Sequence, residues 1–212
     1  MRSRQRATGV ATALTLGVLI SMTACGSGSD DVQKLEPRLQ RMVPTDKPSL
    51  LVTALSGQPA ETREVTGKYF SMYVPANFQE KSSPMASGEQ IVAFDSPSSE
   101  PASPVRVAVV PDPKAGATAI EQSYAVELQK QSEQVKDFTR STVKWPGAVN
   151  AILLQWTESR AGASSGDAPL RTLQLMAQVN DQLIVSVIAV APSAEFDTAG
   201  LVKIVQTFRP KA

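Results

Sequence analysis

The feature that most constrains the fold of this chain is a series of short segments, from about residue 65 onward, with the pattern of β-strands. In KYFSMYVP, Phe70, Met72 and Val74 fall on one face, and Pro75 ends the segment. Alternation with a period of two is typical of a strand with one buried face. QLIVSVIAVA is apolar on both faces, which predicts a central strand covered on both sides. The predicted strands are KYFSMYVP, QIVAFD, VRVAVV, FTRSTVKW, NAILLQWTES, LRTLQLMAQV and QLIVSVIAVA.

Two of these strands carry patterns that matter for a site. NAILLQWTES places Ile152, Leu154 and Trp156 on one face. The two faces of LRTLQLMAQV differ in chemistry, because one is aliphatic and the other is polar. The aliphatic face contains Leu173, Leu175, Ala177 and Val179, and the polar face contains Thr172, Gln174 and Gln178.

Two segments have helical spacing. Thr118 and Glu121 form the pattern of a capping box after the third strand. The apolar stripe predicted for this helix contains Ile120, Tyr124, Leu128 and Val135. A second helix is predicted over Glu195–Thr207, with Ser193 and Asp197 as candidate N-caps. Its apolar stripe contains Leu201, Ile204, Val205 and Phe208.

The predicted order is three strands, a helix, four strands and a helix. A doubly wound α/β fold is excluded because two helices are too few for repeated βαβ units. The pattern predicts an α+β fold: an antiparallel sheet of about six or seven strands with helices packed on its faces.

The N-terminus has the pattern of a targeting segment. Arg2, Arg4 and Arg6 precede an uncharged run, Ala7–Ala24, which ends in small residues before Cys25. MTAC (Met22–Cys25) resembles a bacterial lipobox, with Met in place of the usual Leu. The resemblance implies cleavage after residue 24 and a diacylglyceryl group, with acyl chains such as palmitate, on Cys25. Two acyl chains give stable membrane anchoring. A plain cleaved signal peptide and an uncleaved signal anchor are the alternatives.

These features divide the chain into three parts. Residues 1–24 are the predicted signal peptide, and residues 25–64 are the lipidated cysteine and a linker with short elements. Residues 65–212 form the predicted α+β domain. The predicted location is the outer, extracytoplasmic face of the cell membrane, because the arginines stay on the cytoplasmic side.

Three motifs of the domain support a resemblance to a known family: YFSMYVPANF, PVRVAVV before the long helix, and IVQTFRP at the end. With the lipobox, they resemble the PsbP-like α/β/α sandwich of actinobacterial lipoproteins of the LpqN/LpqT type. The Trp that usually follows Val-Pro in this family is Phe78 here. The resemblance implies an accessory or ligand-binding role, and it brings no catalytic residues with it.

Residues able to perform catalysis are scarce. The chain has no histidine and one cysteine, so triads, imidazole ligands and structural zinc are not expected, nor is any cofactor. GASSG matches the nucleophile-elbow pattern around Ser164, and STVK (Ser141–Lys144) matches S-x-x-K. We interpret the first as a polar loop. On a strand, Ser141 and Lys144 point to opposite faces and cannot meet. We expect no enzyme; a Ser-dependent hydrolase is the remote alternative.

The charged residues are expected to be solvated. Asp95, Glu158 and Asp181 lie at the ends of predicted strands, where surface charge is the ordinary interpretation. Cleavage before Cys25 removes three of the 21 basic residues and none of the 20 acidic ones, which leaves a slightly acidic chain. Nucleic acid is therefore not an expected partner.

Binding is the remaining class of function. Tyr69, Tyr73 and Trp145 are candidates for a ligand groove, although core or rim positions are the ordinary interpretation. Loops at Ser96–Pro104 and Arg160–Ala168 are long enough to reach a partner. Two hypotheses follow: an accessory factor of an envelope protein complex, or a carrier or sensor of an apolar ligand, which requires a pocket of some hundreds of Å³.

Overall fold

Two antiparallel sheets and two helices make up the described part of the chain. The computed structural model describes residues 42–47, 52–100, 104–131, 134–159 and 168–212, all within one unit, Leu35–Ala212. Cys25, the signal peptide and Ser164 lie outside the described residues. No helix within the described ranges is long and apolar enough to span a membrane.

The elements follow one another in this order: β1 (Thr62–Thr66), β2 (Phe70–Pro75), β3 (Gln79–Pro84), β4 (Gln90–Asp95), β5 (Arg106–Asp112), α1 (Ala119–Gln129), β6 (Val135–Val143), β7 (Asn150–Glu158), β8 (Leu170–Gln178), β9 (Ile184–Pro192), α2 (Leu201–Thr207) and β10 (Arg209–Pro210). The larger sheet has seven strands in the order β3-β4-β5-β9-β8-β7-β6, and the smaller has the order β1-β2-β10. Every pairing between neighbouring strands is antiparallel. The predicted fold class, α+β with an antiparallel sheet of about seven strands, is confirmed.

The position of one predicted strand differs. β2 alternates as expected, with Phe70, Met72 and Val74 buried, but it belongs to the smaller sheet. The seventh strand of the larger sheet is β3, which the sequence did not predict. All six residues of β3 are exposed, so no apolar alternation marks it. Its polar side chains and terminal Pro84 are typical of a protected edge strand.

Strand β1 also escaped prediction, because its sequence, TREVT, contains a single apolar residue, Val65, which is buried. The strand crosses the boundary that the sequence analysis places between residues 64 and 65. Upstream of it, Val52 is buried in the main core, and the backbone N–H of Leu55 donates to Gln206 O at 2.9 Å. The segment from residue 52 onward is therefore part of the folded domain.

The main core lies between one face of the larger sheet, the smaller sheet and α2. β9 is central, paired with β5 on one side and β8 on the other, as its apolar sequence predicts. The predicted stripe of α2 is confirmed, because Leu201, Ile204, Val205 and Phe208 are all buried.

The start of α2 differs from the prediction. The helix begins after Gly200, which has φ +67°, and not at Glu195. The residues from Glu195 to Gly200 form consecutive turns, in which Ala199 N–H donates to Glu195 O. Neither predicted cap acts as one: Ser193 Oγ donates to Pro169 O, and Asp197 accepts from Arg171.

The predicted capping box of α1 is confirmed. Thr118 Oγ1 accepts from Glu121 N at 3.2 Å, and Glu121 Oε2 accepts from Thr118 N at 2.9 Å. The predicted stripe is wrong at its end, because the helix stops at Gln129 and Val135 begins β6 opposite Glu158. Leu128 is 49% exposed. The helix therefore packs through its first turns.

Candidate ligand-binding groove

A groove of about 470 Å³ lies on the face of the larger sheet that carries α1. The helix contacts β6, β7 and β8. Its buried residues Ala119 and Ile120 pack on Ile152, Leu154 and Trp156 in a second, smaller core. The groove is lined by Val126, Gln129, Lys130, Trp156, Glu158, Leu170, Thr172, Gln174, Ile188 and Val190.

Strand register explains why these side chains share one face. Gln174 lies directly between Leu154 on β7 and Ile188 on β9. In the next row, Thr172 lies between Trp156 and Val190. Directly paired residues of neighbouring strands point to the same side of a sheet. The polar face predicted for LRTLQLMAQV therefore forms the floor of the groove beside the aliphatic residues of β9.

Three side chains form the rim where α1 ends. The Lys130 ammonium lies 2.6 Å from Glu158 Oε2 and 5.2 Å from the centre of the Trp156 ring. The indole N–H of Trp156 donates to the same carboxylate oxygen at 3.4 Å. Both charges of the rim are thus paired, and the indole is fixed between them and the floor.

Two polar side chains of the floor have no hydrogen bond to any described residue. Gln174 is 8% exposed and Thr172 is 6% exposed. Buried amide and hydroxyl groups normally have partners, because burial without one costs about 1–3 kcal/mol. Both residues line the groove, so both are available to a molecule that enters it.

A buried arginine fixes α1 from the other side. Arg140 of β6 is 6% exposed, and its guanidinium donates to Glu127 at 2.8 Å and to Ser123 Oγ at 3.2 Å, both on α1. It also donates to Met42 O at 2.6 Å. At the start of α1, Gln178 Oε1 accepts from the backbone N–H of Ala119 at 3.2 Å. The helix that borders the groove is therefore held at both ends by buried hydrogen bonds.

The three aromatic candidates from the sequence lie elsewhere. Trp145 is a core residue, 5% exposed, and its indole N–H donates to Phe208 O at 3.0 Å. Tyr69 is half-buried and donates to Glu89 at 2.9 Å. Tyr73 lines a smaller pocket of about 140 Å³ beside Lys203 and Ile204. The structure thus brings none of the three into the large groove.

The expectation of solvated carboxylates is wrong for Asp95, which is 3% exposed. Asp95 lies opposite Arg106, whose Nη2 donates to it at 3.0 Å, and Lys81 donates at 2.9 Å. The hydrogen bond from Arg106, helped by that from Lys81, lowers the pKa of Asp95 although burial acts in the opposite direction. Glu158 is also paired, as described above, whereas Asp181 is exposed as expected.

The residues of the S-x-x-K match do not meet. Ser141 is 1% exposed, and its hydroxyl has no hydrogen-bond partner among the described residues, while Lys144 is exposed. Within the described ranges, no three His, Cys, Asp or Glu side chains are grouped so as to hold a metal ion.

The sequence predicts Trp156, Thr172 and Gln174 as strand residues but not as members of a site. The signal that could have found the groove is a polar strand face next to β9, which is apolar on both faces. Such a face is exposed in a sheet with one solvated side, but here α1 and the neighbouring strands bury it.

No protein-family model and no curated protein matches the chain. Among solved structures, the chain is similar to cyanobacterial PsbP (CyanoP) from Synechocystis, with 14% identity, a TM-score of 0.49, and coverage of 76% of this chain and 98% of that chain. It is also similar to the protein of unknown function PA94 from Pseudomonas aeruginosa, with 17% identity, a TM-score of 0.40, and coverage of 72% and 99%.

Proposed function

We propose that this protein is a non-catalytic binding protein of the bacterial cell envelope, anchored to the membrane through a lipid on Cys25, and that it holds an apolar small molecule in the groove beside α1. The observation that carries the proposal is the groove itself. Its volume, about 470 Å³, lies in the range of small-molecule sites, and aliphatic side chains and one indole supply most of its wall.

The anchor is argued from the sequence. Small residues before Cys25, an uncharged run and three arginines fit a lipoprotein signal peptide. We propose that the chain is a lipoprotein of the actinobacterial LpqN/LpqT type with a PsbP-like domain. A domain held at the outer face of the cell membrane meets apolar molecules that leave or enter the bilayer, which suits a carrier or sensor.

The anchor is tested by the mass of the mature protein extracted from membranes. We expect cleavage before Cys25 and a diacylglyceryl adduct on its sulfur. A Cys25→Ala variant removes the attachment atom, so we expect it to lose its membrane-bound fraction after detergent-free washing. A native protein that is free in the culture medium with an unmodified thiol would disprove the anchor.

The groove is tested with N-phenyl-1-naphthylamine, a neutral apolar dye that fluoresces in apolar sites. We use residues 25–212, the predicted mature chain, with Cys25→Ala, because without the signal peptide and the lipid it needs no detergent that would compete for the groove. The test variant is Val190→Asp, which places a charge in the groove wall, and the matched control is Val149→Asp, at an apolar side chain 66% exposed before β7.

We expect the parent chain and Val149→Asp to bind the dye, and Val190→Asp to lose it. A parent chain that takes up no dye would overturn the binding proposal and favour an accessory role in an envelope complex. Equal binding by Val190→Asp would show that the site lies elsewhere.

A further inference from the structure

The chemistry of the groove restricts the kind of molecule that fits it. Leu170, Ile188, Val190 and Val126 give it an apolar wall, so the body of the molecule has to be apolar. Thr172 and Gln174, two residues apart on one face of β8, lie about 7 Å apart along the strand. A ligand that covers the wall also covers these two polar side chains.

Covering them without hydrogen bonds is unfavourable. Gln174 and Thr172 are each more than nine-tenths buried, and neither bonds to any residue that the structure describes. A purely hydrocarbon ligand would remove their remaining solvent and leave an amide and a hydroxyl unpaired. A ligand with a hydroxyl or amide group would pair them, because the Gln174 amide and the Thr172 hydroxyl each both donate and accept.

The charges of the groove disfavour an ionised group. Lys130 and Glu158 are the charged side chains among the described lining residues, and they pair with each other at 2.6 Å. Other charged side chains on this face are also paired: Arg106 and Lys81 both donate to Asp95, and Arg140, opposite Leu154 in the row of Gln174, donates to Glu127. A carboxylate in the groove would have to break the Lys130–Glu158 pair or remain without a counter-charge.

We propose that the groove selects an uncharged amphipathic molecule: an aliphatic chain whose hydroxyl or amide group forms hydrogen bonds with Gln174 and Thr172. This inference rests on the proposed function, since it specifies the ligand of the same groove. Its distinctive claim is that a molecule with a neutral polar group is bound in preference to a molecule of equal chain length with an ionised group.

The test is competition against N-phenyl-1-naphthylamine, with 1-decanol and decanoate as competitors at pH 7, again with residues 25–212 carrying Cys25→Ala. We expect 1-decanol to displace the dye at about tenfold lower concentration than decanoate, the equivalent of one or two net hydrogen bonds. Gln174→Leu and Thr172→Val keep the side-chain size and remove the polar groups, so each should reduce this preference. Gln79→Leu, at an exposed position of β3, is the matched control and should keep it.

The outcomes separate this inference from the proposed function. If the dye does not bind to the parent chain, both the proposed binding function and this inference are overturned. A dye that binds, but which decanoate displaces as well as 1-decanol does, overturns the inference and leaves the binding function in place. An unchanged preference in both Gln174→Leu and Thr172→Val would also overturn it. Equal displacement by the two competitors on the parent chain overturns the inference even if a variant fails to fold.

Discussion

Arg106 on β5 binds the carboxylate of Asp95 on β4, with Nη2 of Arg106 3.0 Å from Oδ2 of Asp95. The two residues lie directly opposite each other in the sheet, and the Asp95 side chain is 5% exposed while that of Arg106 is 45% exposed. The arginine therefore covers a buried carboxylate and keeps its other side in solvent. This arrangement lets an acidic residue occupy a position next to the core.

The pair predicts how stability depends on pH. The pKa of Asp95 is lower in the folded protein than in the unfolded chain, where it is about 3.9. The stabilisation from Asp95 is thus present above about pH 4 and is lost as the pH falls through the lower, folded pKa. We expect Asp95→Asn to be less stable than the parent at pH 6 and to show a shallower loss of unfolding free energy below pH 4. Urea unfolding between pH 6 and pH 2.5 measures both.

The control for this prediction is Asp197→Asn. Asp197 also pairs with an arginine, Arg171, but its side chain is 71% exposed, so the pair should contribute little. Parallel pH profiles for the parent and Asp95→Asn would contradict the assigned role of Asp95.

A close approach at Gly147 predicts a second effect on stability. Gly147 has φ +81°, and a Cβ at this residue would lie 2.9 Å from the carbonyl oxygen of Pro210. Gly88 has a similar φ of +87° with no atom within 4 Å of such a Cβ. Gly88→Ala should therefore cost about 1–2 kcal/mol from the backbone alone, and Gly147→Ala should cost more because of the clash. Equal midpoints of thermal unfolding in the two variants would disprove the contribution of the contact.

The buried guanidinium of Arg140 predicts a third effect on stability. Arg140→Met removes its hydrogen bonds to Glu127, Ser123 and the Met42 carbonyl. We expect a loss of about 3 kcal/mol in unfolding free energy, because groups that were paired inside the protein lose their partner. Arg171→Met, which breaks a more exposed pair, should cost less than about 1 kcal/mol. A cost for Arg140→Met no larger than that of the control would contradict the structural role of Arg140.

Much of this fold could be predicted from the sequence, because apolar alternation marks strands such as β2 and the capping box marks α1. β1 and β3 were not predicted because they lack apolar alternation: β1 buries one apolar side chain, Val65, and β3 buries none. β3, QEKSSP, has no buried side chain and pairs with β4 through its backbone. The sequence of β3 therefore has no alternation of apolar and polar residues that would predict a strand.

The groove could not be predicted because it depends on long-range pairing. Thr172 faces Trp156 on one side and Val190 on the other, which follows from β8 lying between β7 and β9. The sequence indicated that each strand exists but not that α1 would end at Gln129 and leave part of this face uncovered. The burial of Asp95 could not be predicted for the same reason, because it depends on Arg106, which lies opposite it on the neighbouring strand.

The rim of the groove provides the last prediction. Glu158 neutralises the Lys130 ammonium at 2.6 Å, and the Lys130 side chain is 27% exposed. Glu158→Gln keeps the size of the side chain and frees the ammonium for another anion. The matched control is Glu80→Gln, which frees Arg63 from an ion pair of 3.9 Å on other strands.

If the groove disfavours decanoate in part because Lys130 is already paired, then Glu158→Gln should reduce that disadvantage. We expect its affinity for decanoate, measured by dye displacement, to rise by up to about fivefold, since a partly exposed pair contributes about 0.2–1 kcal/mol. Its affinity for 1-decanol should stay unchanged, because an uncharged group gains little from the freed ammonium. Glu80→Gln should change neither affinity. A decanoate affinity that stays at the parent value in Glu158→Gln would mean that the ligand does not approach Lys130, and the rim would then have no part in selecting it.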